Sequence, residues 1–255
     1  MEKRLKKAGL IALIVAGGLI LAALLLGVLN ALLADGEWSI GWKDYRYDES
    51  GYTVGDGTIP TDRLTGIDVD WIDGLVEIVA CDDAFPSVSE SSGNELPDSA
   101  RLRWSVDGDG VLHIKYRSSS WVFGFGQNDR QKKLTVRIPK YFLKDLNSID
   151  IEAGTASVFL RDVTAKEIDV EGSSGLVDAS FSELPLYLDI STTSGRVTLR
   201  LTDVASFCLD FESKKGTLTS DLPLHSEKEN YVYGSGTSSL EVDTVGGDLV
   251  LTWLK

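Results

Sequence analysis

Cysteine, histidine and methionine are scarce in this chain of 255 residues, which contains two Cys, two His and one Met. Two cysteines are too few for a disulfide-rich mini-protein. His113 and His225 have no suitably spaced Cys, Asp or second His that would form a metal site. Six prolines and 25 glycines exclude a collagen-like chain. Hydrophobic residues make up 43% of the sequence, enough for a folded core.

Basic residues are also few, with 25 Lys and Arg against 39 Asp and Glu, and the formal net charge is −14. Because neutralising phosphates needs a basic surface, this balance argues against nucleic acid as a partner. There is no G-x-S-x-G motif, and Gly124-Phe125-Gly126-Gln127 lacks the third glycine of a dinucleotide site. The sequence therefore predicts a protein that is not an enzyme, with no catalytic residue and no resident cofactor.

A long apolar run near the N-terminus is the main departure from uniform composition. Residues 8–34 contain one polar side chain, Asn30, and follow a basic segment at residues 1–7. A helix over residues 10–34 would be about 37 Å long, enough to span a membrane with some tilt. We expect a cytoplasmic tail (1–7), a single-pass transmembrane signal anchor (8–34) and an extracytoplasmic remainder. A cleaved signal peptide is the alternative, although its apolar core would normally be shorter.

Aromatic residues are concentrated in residues 35–60, which we assign as a juxtamembrane linker. Trp38 and Trp42 are of the type that anchors a helix at the membrane interface, or that covers the first layer of the following domain. The remaining residues, 61–255, form the predicted extracytoplasmic domain.

This domain repeats a short pattern in which an apolar residue is followed by Asp. A small residue recurs seven positions later and an apolar one nine positions later. The five starts are Ile67, Ile149, Ile168, Leu188 and Leu209, and Tyr231 begins a degenerate sixth unit. Apolar and polar residues alternate within each unit, as in a half-buried strand. The small residue suits a turn with positive φ or a close approach by the neighbouring unit.

Units of this kind cannot bury their apolar faces alone, so they must stack. The pattern therefore predicts an all-β, single-stranded β-solenoid, with a β-sandwich as the alternative. Between the repeats, residues 107–110 predict a hairpin turn, and residues 134–138 predict a strand that ends at Pro139.

Stacking would place one aspartate of each unit in an outward column, about 4.8 Å apart. These residues are Asp68, Asp150, Asp169, Asp189 and Asp210. Adjacent carboxylates repel, which favours bound cations or raised pKa values, so weak Ca²⁺ binding along the column is one hypothesis. The alternative is a solvated acidic face that prevents unwanted strand pairing.

The segment Trp121-Val122-Phe123-Gly124-Phe125-Gly126 forms a second candidate site. Its aromatic residues Trp121, Phe123 and Phe125 predict either a partner-binding tip for protein, sugar or lipid, or a core-facing strand. Cys81 and Cys208 leave open either a disulfide or two buried thiols.

The serial order of these motifs resembles a known family. GYTVGDGT, IDVDWIDGLVEIVACDD, LTVRIPK, IDVEGSSGLVDASF, LDISTTSGRVTLRL and LDFESKKGTLTS look like the putative-adhesin domains of unknown function found in bacteria. The resemblance covers roughly residues 50–255. It implies a right-handed all-β solenoid, often held at the bacterial cell membrane by one helix and often linked with envelope-stress systems. It supplies no catalytic residues.

We therefore expect a membrane-anchored, extracytoplasmic binding or scaffold module of the bacterial cell envelope, with an envelope protein or a glycan as its partner. One alternative is an accessory regulator of a membrane envelope-stress signalling complex. A distant alternative is a carbohydrate-active enzyme, because some β-solenoids cleave acidic polysaccharides with Asp, Lys and Arg in a groove.

Overall fold

The computed structural model describes residues 45–119, 132–203, 205–227 and 230–254. The predicted tail, the signal anchor, and Trp38 and Trp42 of the linker therefore lie outside the described residues. Among the residues that are described, no helix is long and apolar enough to cross a membrane. The chain divides into two compact units, residues 1–46 with 120–124 and residues 47–119 with 125–255. All elements below belong to the second unit.

The described residues form 20 strands with very little helix. The first ten strands are β1 (Thr53–Val54), β2 (Gly57–Thr58), β3 (Gly66–Asp70), β4 (Leu75–Cys81), β5 (Ser87–Ser91), β6 (Arg103–Val106), β7 (Val111–Lys115), β8 (Lys133–Pro139), β9 (Ser148–Glu152) and β10 (Ser157–Arg161). The others are β11 (Glu167–Gly172), β12 (Val177–Phe181), β13 (Tyr187–Thr192), β14 (Val197–Leu201), β15 (Phe207–Ser213), β16 (Leu218–Ser220), β17 (His225–Glu227), β18 (Asn230–Tyr233), β19 (Ser238–Thr244) and β20 (Leu249–Trp253). Helix α1 spans Lys140–Leu143, and a 3₁₀ turn spans Asp98–Ala100.

The strands form two sheets. Sheet 1 has the order β1-β6-β7-β3-β9-β11-β13-β19-β15-β18-β17, and sheet 2 has the order β16-β20-β14-β12-β10-β4-β8-β5-β2. In each repeat the chain runs through one strand of sheet 1, turns, and runs through one strand of sheet 2. The prediction of an all-β fold is confirmed, and the parallel-rich sheets are consistent with a β-solenoid rather than with the antiparallel sheets of most sandwiches.

Within the described part of the chain, seven such coils stack in an order that differs from the order of the sequence. We name them along the stack as coil A (β7, β8), B (β3, β4), C (β9, β10), D (β11, β12), E (β13, β14), F (β19, β20) and G (β15, β16). At one end coil B lies between A and C, and at the other coil F lies between E and G. The last coil of the chain is thus inserted inside the stack.

The insertion of coil F corrects the predicted sixth repeat. Tyr231 does not begin a coil, because β18 pairs antiparallel with β15 and forms a hairpin with β17. The sixth coil begins at Leu240, which pairs with Leu188 of coil E and Leu209 of coil G. Counted from Leu240, the seventh and ninth positions are Gly247 and Leu249, as in the other units.

The core lies between the two sheets and consists of apolar rows that run along the stack. The predicted inward residues of sheet 1, Ile67, Ile149, Ile168, Leu188 and Leu209, are at most 1% exposed. Their counterparts in sheet 2 include Val76, Val158, Val177 and Val197, all of which are buried. Alternation along each strand therefore sends the intervening residues outward.

The predicted hairpin and the strand that ends at Pro139 are confirmed, since β6 pairs antiparallel with β7 and β8 ends at that proline. Antiparallel strands also cover the stack ends, with β6 beside coil A and β18 beside coil G. Such coverage limits open edges that would pair with other chains. Cys81 and Cys208 are free thiols in coils B and G.

Small residues at the seventh position are explained by close approach between coils. A Cβ on Gly175 would lie 1.8 Å from the carbonyl oxygen of Ala156, and one on Gly195 would lie 2.2 Å from that of Gly175. The same contact joins Gly247 to Gly195 at 2.0 Å and Gly216 to Gly247 at 1.7 Å. The turns therefore pack backbone against backbone.

We expect Gly175→Ala to destabilise the protein by about 1–3 kcal/mol, because the added methyl group overpacks the contact between the turn of coil D and the turn of coil C. The φ angle of Gly175 is not in the left-handed region, so the effect would be steric. Gly108→Ala is the matched control, since nothing lies within 4 Å of the Cβ that it would gain. Urea unfolding of both variants measures the difference, and equal stabilities would contradict the close-approach explanation.

A buried lysine joins coil A to four neighbouring segments. Lys132 is 0% exposed, and its Nζ lies 2.8 Å from Oε2 of Glu90, whose side chain is 5% exposed. The ammonium also donates to the carbonyl oxygens of Ala100, at 2.6 Å, and Tyr116. The rings of Trp71 and Tyr116 lie 4.9 and 4.3 Å from Nζ. These contacts satisfy a charge that would otherwise be costly to bury.

We expect Lys132→Met to cost about 3–5 kcal/mol of stability, because it leaves the Glu90 carboxylate buried without its cation. Lys133→Met is the matched control, since Lys133 pairs with Glu77 at the surface and should contribute about 1 kcal/mol or less. Denaturant unfolding compares the two. Similar losses in both variants would show that the buried pair has no special role.

Candidate functional site

A row of acidic side chains crosses the outer side of sheet 1. Asp68 in coil B pairs in register with Asp150 in coil C, Asp150 with Asp169 in coil D, and Asp169 with Asp189 in coil E. The structure thus brings together four of the five predicted aspartates. Neighbouring strands lie about 4.8 Å apart, which sets the spacing of these residues.

The fifth aspartate is not beside the fourth, and the prediction that Asp189 and Asp210 are neighbours is wrong. Because coil F is inserted between E and G, Glu241 pairs with both Asp189 and Asp210. The row is therefore acidic throughout, but its member in coil F is Glu241, which the predicted sixth unit starting at Tyr231 did not place in the row. The offsets from Leu240 to Gly247 and Leu249 were the signal that could have identified Glu241.

Carboxylates two residues before or after the row add to this surface in several coils, and we call the whole surface the acidic face. Glu152 pairs with Glu171 on one side of the row, and Asp243 pairs with Glu212. Glu167 lies on the other side, between Ser148 and Tyr187. The acidic face comprises the outward carboxylates Asp68, Asp70, Asp150, Glu152, Glu167, Asp169, Glu171, Asp189, Asp210, Glu212, Glu241 and Asp243.

Crowding and partial burial perturb these carboxyl groups. Burial raises the pKa of Asp150, with further increases from Asp68 and Glu167. Burial likewise raises the pKa values of Asp169 and Asp189, and repulsion from neighbouring carboxylates adds to both shifts. For Glu241, the charge of Asp189 is the first cause of its raised pKa, followed by burial. The row is thus a strained electrostatic arrangement that a cationic group would relieve.

A histidine and a lysine end the row at coil A. Nδ1 of His113 lies 2.7 Å from Oδ2 of Asp68, and its Nε2 lies 3.1 Å from Oδ2 of Asp107. Burial lowers the pKa of His113, but the hydrogen bonds to Asp68 and Asp107 outweigh this effect and the pKa is raised. Nζ of Lys115 lies 3.6 Å from Oδ2 of Asp70. Because these two groups lie at coil A, the acid-rich part of the acidic face lies over coils C to G.

No group of three or more His, Cys, Asp or Glu in the described ranges is arranged to hold a metal ion. The physical reason is that stacked side chains run parallel, whereas Ca²⁺ prefers six to eight convergent oxygen ligands. Weak Ca²⁺ binding along the row stays a prediction. Trp121, Phe123 and Phe125, the other candidate partner-binding residues, lie outside the described residues.

We expect the melting temperature to fall as pH rises from 6 to 8. The raised pKa of His113 means that its contribution is complete below its ordinary value of about 6.5 and is lost as pH rises through the folded-state value. The raised carboxyl pKa values act in the same direction at lower pH, because folding favours their protonated forms. A change of about 2–4 °C is expected.

Thermal scans of the wild type and His113→Gln from pH 6 to 8 test this expectation. The variant should show a flatter pH profile, because residue 113 can no longer bind a proton. An unchanged slope would show that other groups dominate in this pH range.

Part of the chain is similar to a known protein family. Residues 146–252, which contain coils C to G apart from the last residue of β20, match the family model described as Toastrack DUF4097. No curated protein sequence matches the chain.

Among solved structures, a putative cell adhesion protein from Clostridium sporogenes has a TM-score of 0.63 at 15% sequence identity. The match covers 79% of this chain and 100% of that protein. A putative adhesin from Bacteroides fragilis matches at 13% identity, covering 78% of this chain and 97% of the other, but its TM-score of 0.30 is too low to indicate a shared fold. The name of the Clostridium sporogenes protein describes adhesion. The resemblance inferred from the sequence is confirmed, because residues 146–252 match the Toastrack DUF4097 model and the fold is similar to that of a putative cell adhesion protein.

Proposed function

We propose that this protein is a non-enzymatic binding or scaffold module of the bacterial cell envelope, and that the acidic face is its contact surface. The observation that carries this proposal is the continuous row from Asp68 to Asp210, flanked by further carboxylates in coils B, C, D, F and G. A broad, regular surface of this kind suits an extended partner better than a small molecule enclosed in a cavity.

The partner that fits this surface is cationic. Glu152, Glu171 and Glu212 are exposed, so a basic segment of an envelope protein or a glycan bearing amino groups can reach them. Ion pairs with such a partner would relieve the repulsion that adds to burial in raising the pKa of Asp169 and that is the first cause of the raised pKa of Glu241. Binding of this type is steered by charge and weakens as salt is added.

Membrane presentation is part of the proposal. Residues 8–34 would hold the chain in the bacterial membrane as a single-pass anchor, with residues 1–7 in the cytoplasm and the all-β domain outside. The coils would form a right-handed solenoid, as the resemblance to the putative-adhesin domains implies. The fold shared with the cell adhesion protein from Clostridium sporogenes supports a role in contact.

The test is crosslinking and affinity purification of the full chain from its native membrane. The key variant is Glu152→Gln/Glu171→Gln/Glu212→Gln, which removes three charges from exposed positions of the acidic face. The matched control is Glu95→Gln/Asp145→Asn/Glu183→Gln, which removes three exposed charges elsewhere. We expect the first variant to lose most of the captured partner and the second to retain it.

Equal capture by both variants would contradict the acidic face as the contact surface. A triple variant Trp121→Ser/Phe123→Ser/Phe125→Ser then shows whether the aromatic segment makes the contact. A sensor protein among the captured partners would identify the module as an accessory regulator. Depolymerisation of a glycan by the purified chain would overturn the non-enzymatic assignment.

A further inference from the structure

A groove of about 560 Å³ lies on the outer side of sheet 2, on the face of the domain opposite the acidic face. It runs from Phe159 in coil C, across Thr198 and Arg200 in coil E, to the turn that precedes β20 in coil F. Leu176, which is 50% exposed, forms part of its wall. This volume is within the range of small-molecule sites in proteins.

Two guanidinium groups share one carboxylate at this groove. Nη1 of Arg161 lies 2.6 Å from Oδ1 of Asp178, and Nη1 of Arg200 donates to the same oxygen. Burial raises the pKa of Asp178, but the hydrogen bonds from Arg200 and Arg161 outweigh it and the pKa is lowered. Two positive charges therefore face one negative charge, and the Nη2 and Nε groups of Arg200 have no partner among the described residues.

A third guanidinium increases the local excess of positive charge. Arg196 is exposed and lines the same groove, and its side chain makes no hydrogen bond or ion pair within the described ranges. The carboxylate of Asp248 also lines the groove, and its Oδ1 accepts from both N and Oγ1 of Thr217 at 3.0 Å. Three guanidinium groups therefore face two carboxylates here. In a chain of net charge −14, this groove is thus a place of local positive excess.

We propose that this groove binds an oxyanion, a phosphate or carboxylate group, through Arg196 and Arg200. Thr198 lies between them on the same outward side of β14 and supplies a hydroxyl donor. The N–H donors of arginine match the oxygens of planar carboxylate groups and of tetrahedral phosphate groups. Phe159 and Leu176 form an apolar wall for the remainder of the ligand. The site lies on the other sheet from the acidic face, so it does not depend on the proposed contact surface.

Thermal shift and isothermal titration of the full chain test this proposal with three probes. Pyrophosphate supplies the phosphate group, D-glucuronate supplies the carboxylate, and D-glucose is the uncharged control. We expect at least one anion to raise the melting temperature and to bind with an affinity that added salt reduces, whereas glucose has no effect. The anion that binds identifies the preferred group.

Arg196→Gln is the cleanest variant, because the exposed Arg196 side chain makes no hydrogen bond or ion pair within the described ranges, and it should weaken anion binding by about tenfold or more. Arg137→Gln is the matched control on the same sheet, since Arg137 pairs with Asp83 away from the groove. Retained binding in Arg196→Gln, equal losses in both variants, or no response to either anion would overturn the proposal. A response to glucose equal to that of glucuronate would also contradict it.

Discussion

Backbone pairing in a fixed parallel register between stacked coils is the constraint on which the rest of the structure depends. Each coil places its residues directly against their counterparts in the next coil, and the turns close only because the seventh position lacks a bulky side chain. Gly175, Gly195 and Gly247 each lie against the carbonyl oxygen of a neighbouring turn. The contact is set by distance rather than by unusual backbone angles, since only Gly195 of these three has a positive φ.

A fixed register stacks similar residues on one another. This is favourable for apolar residues in the core and unfavourable for carboxylates on the surface. Inward rows such as Ile149, Ile168 and Leu188 bury apolar surface continuously along the stack. Outward rows of carboxylates repel by about 0.9 kcal/mol per adjacent pair even in water. His113 and Lys115 reduce this cost at one end of the row. The same ladder that builds the core therefore also builds the acidic face.

The parts of the fold and of the acidic face that depend on local, repeated contacts could be predicted from the sequence, whereas the parts that depend on pairing between distant segments could not. The period of each coil, the inward residues and the glycine at the seventh position depend on contacts that each unit repeats, so fixed offsets revealed them. The stacking order depends on pairing between distant segments, and Glu241 entered the row because β19 is inserted between β13 and β15. The sequence pattern around Leu240 contained this information, but a regular spacing of starts favoured Tyr231.

Buried polar groups were also beyond the reach of the repeat pattern. Lys132 is flanked by Gln131, Lys133 and other polar residues, so nothing in its local sequence indicates that it is 0% exposed. Its burial depends on Glu90, Ala100 and Tyr116, which approach it from other segments. Arg161 and Arg200 are comparable, because their shared partner Asp178 lies on the strand between theirs. Single-sequence reasoning finds periodic surfaces more readily than it finds such clusters.

The outer faces of sheet 1 and sheet 2 share the same strand register but differ in the arrangement of their charged side chains. On sheet 2, charges of opposite sign alternate between neighbouring strands, as in the pairs of Lys133 with Glu77 and Arg161 with Asp178. On sheet 1, carboxylates lie beside carboxylates from coil B to coil G. Parallel stacking does not require this, since sheet 2 avoids it with the same backbone. Solubility alone would be served by charges on either sheet, so their concentration on one sheet supports a directional contact role for that surface.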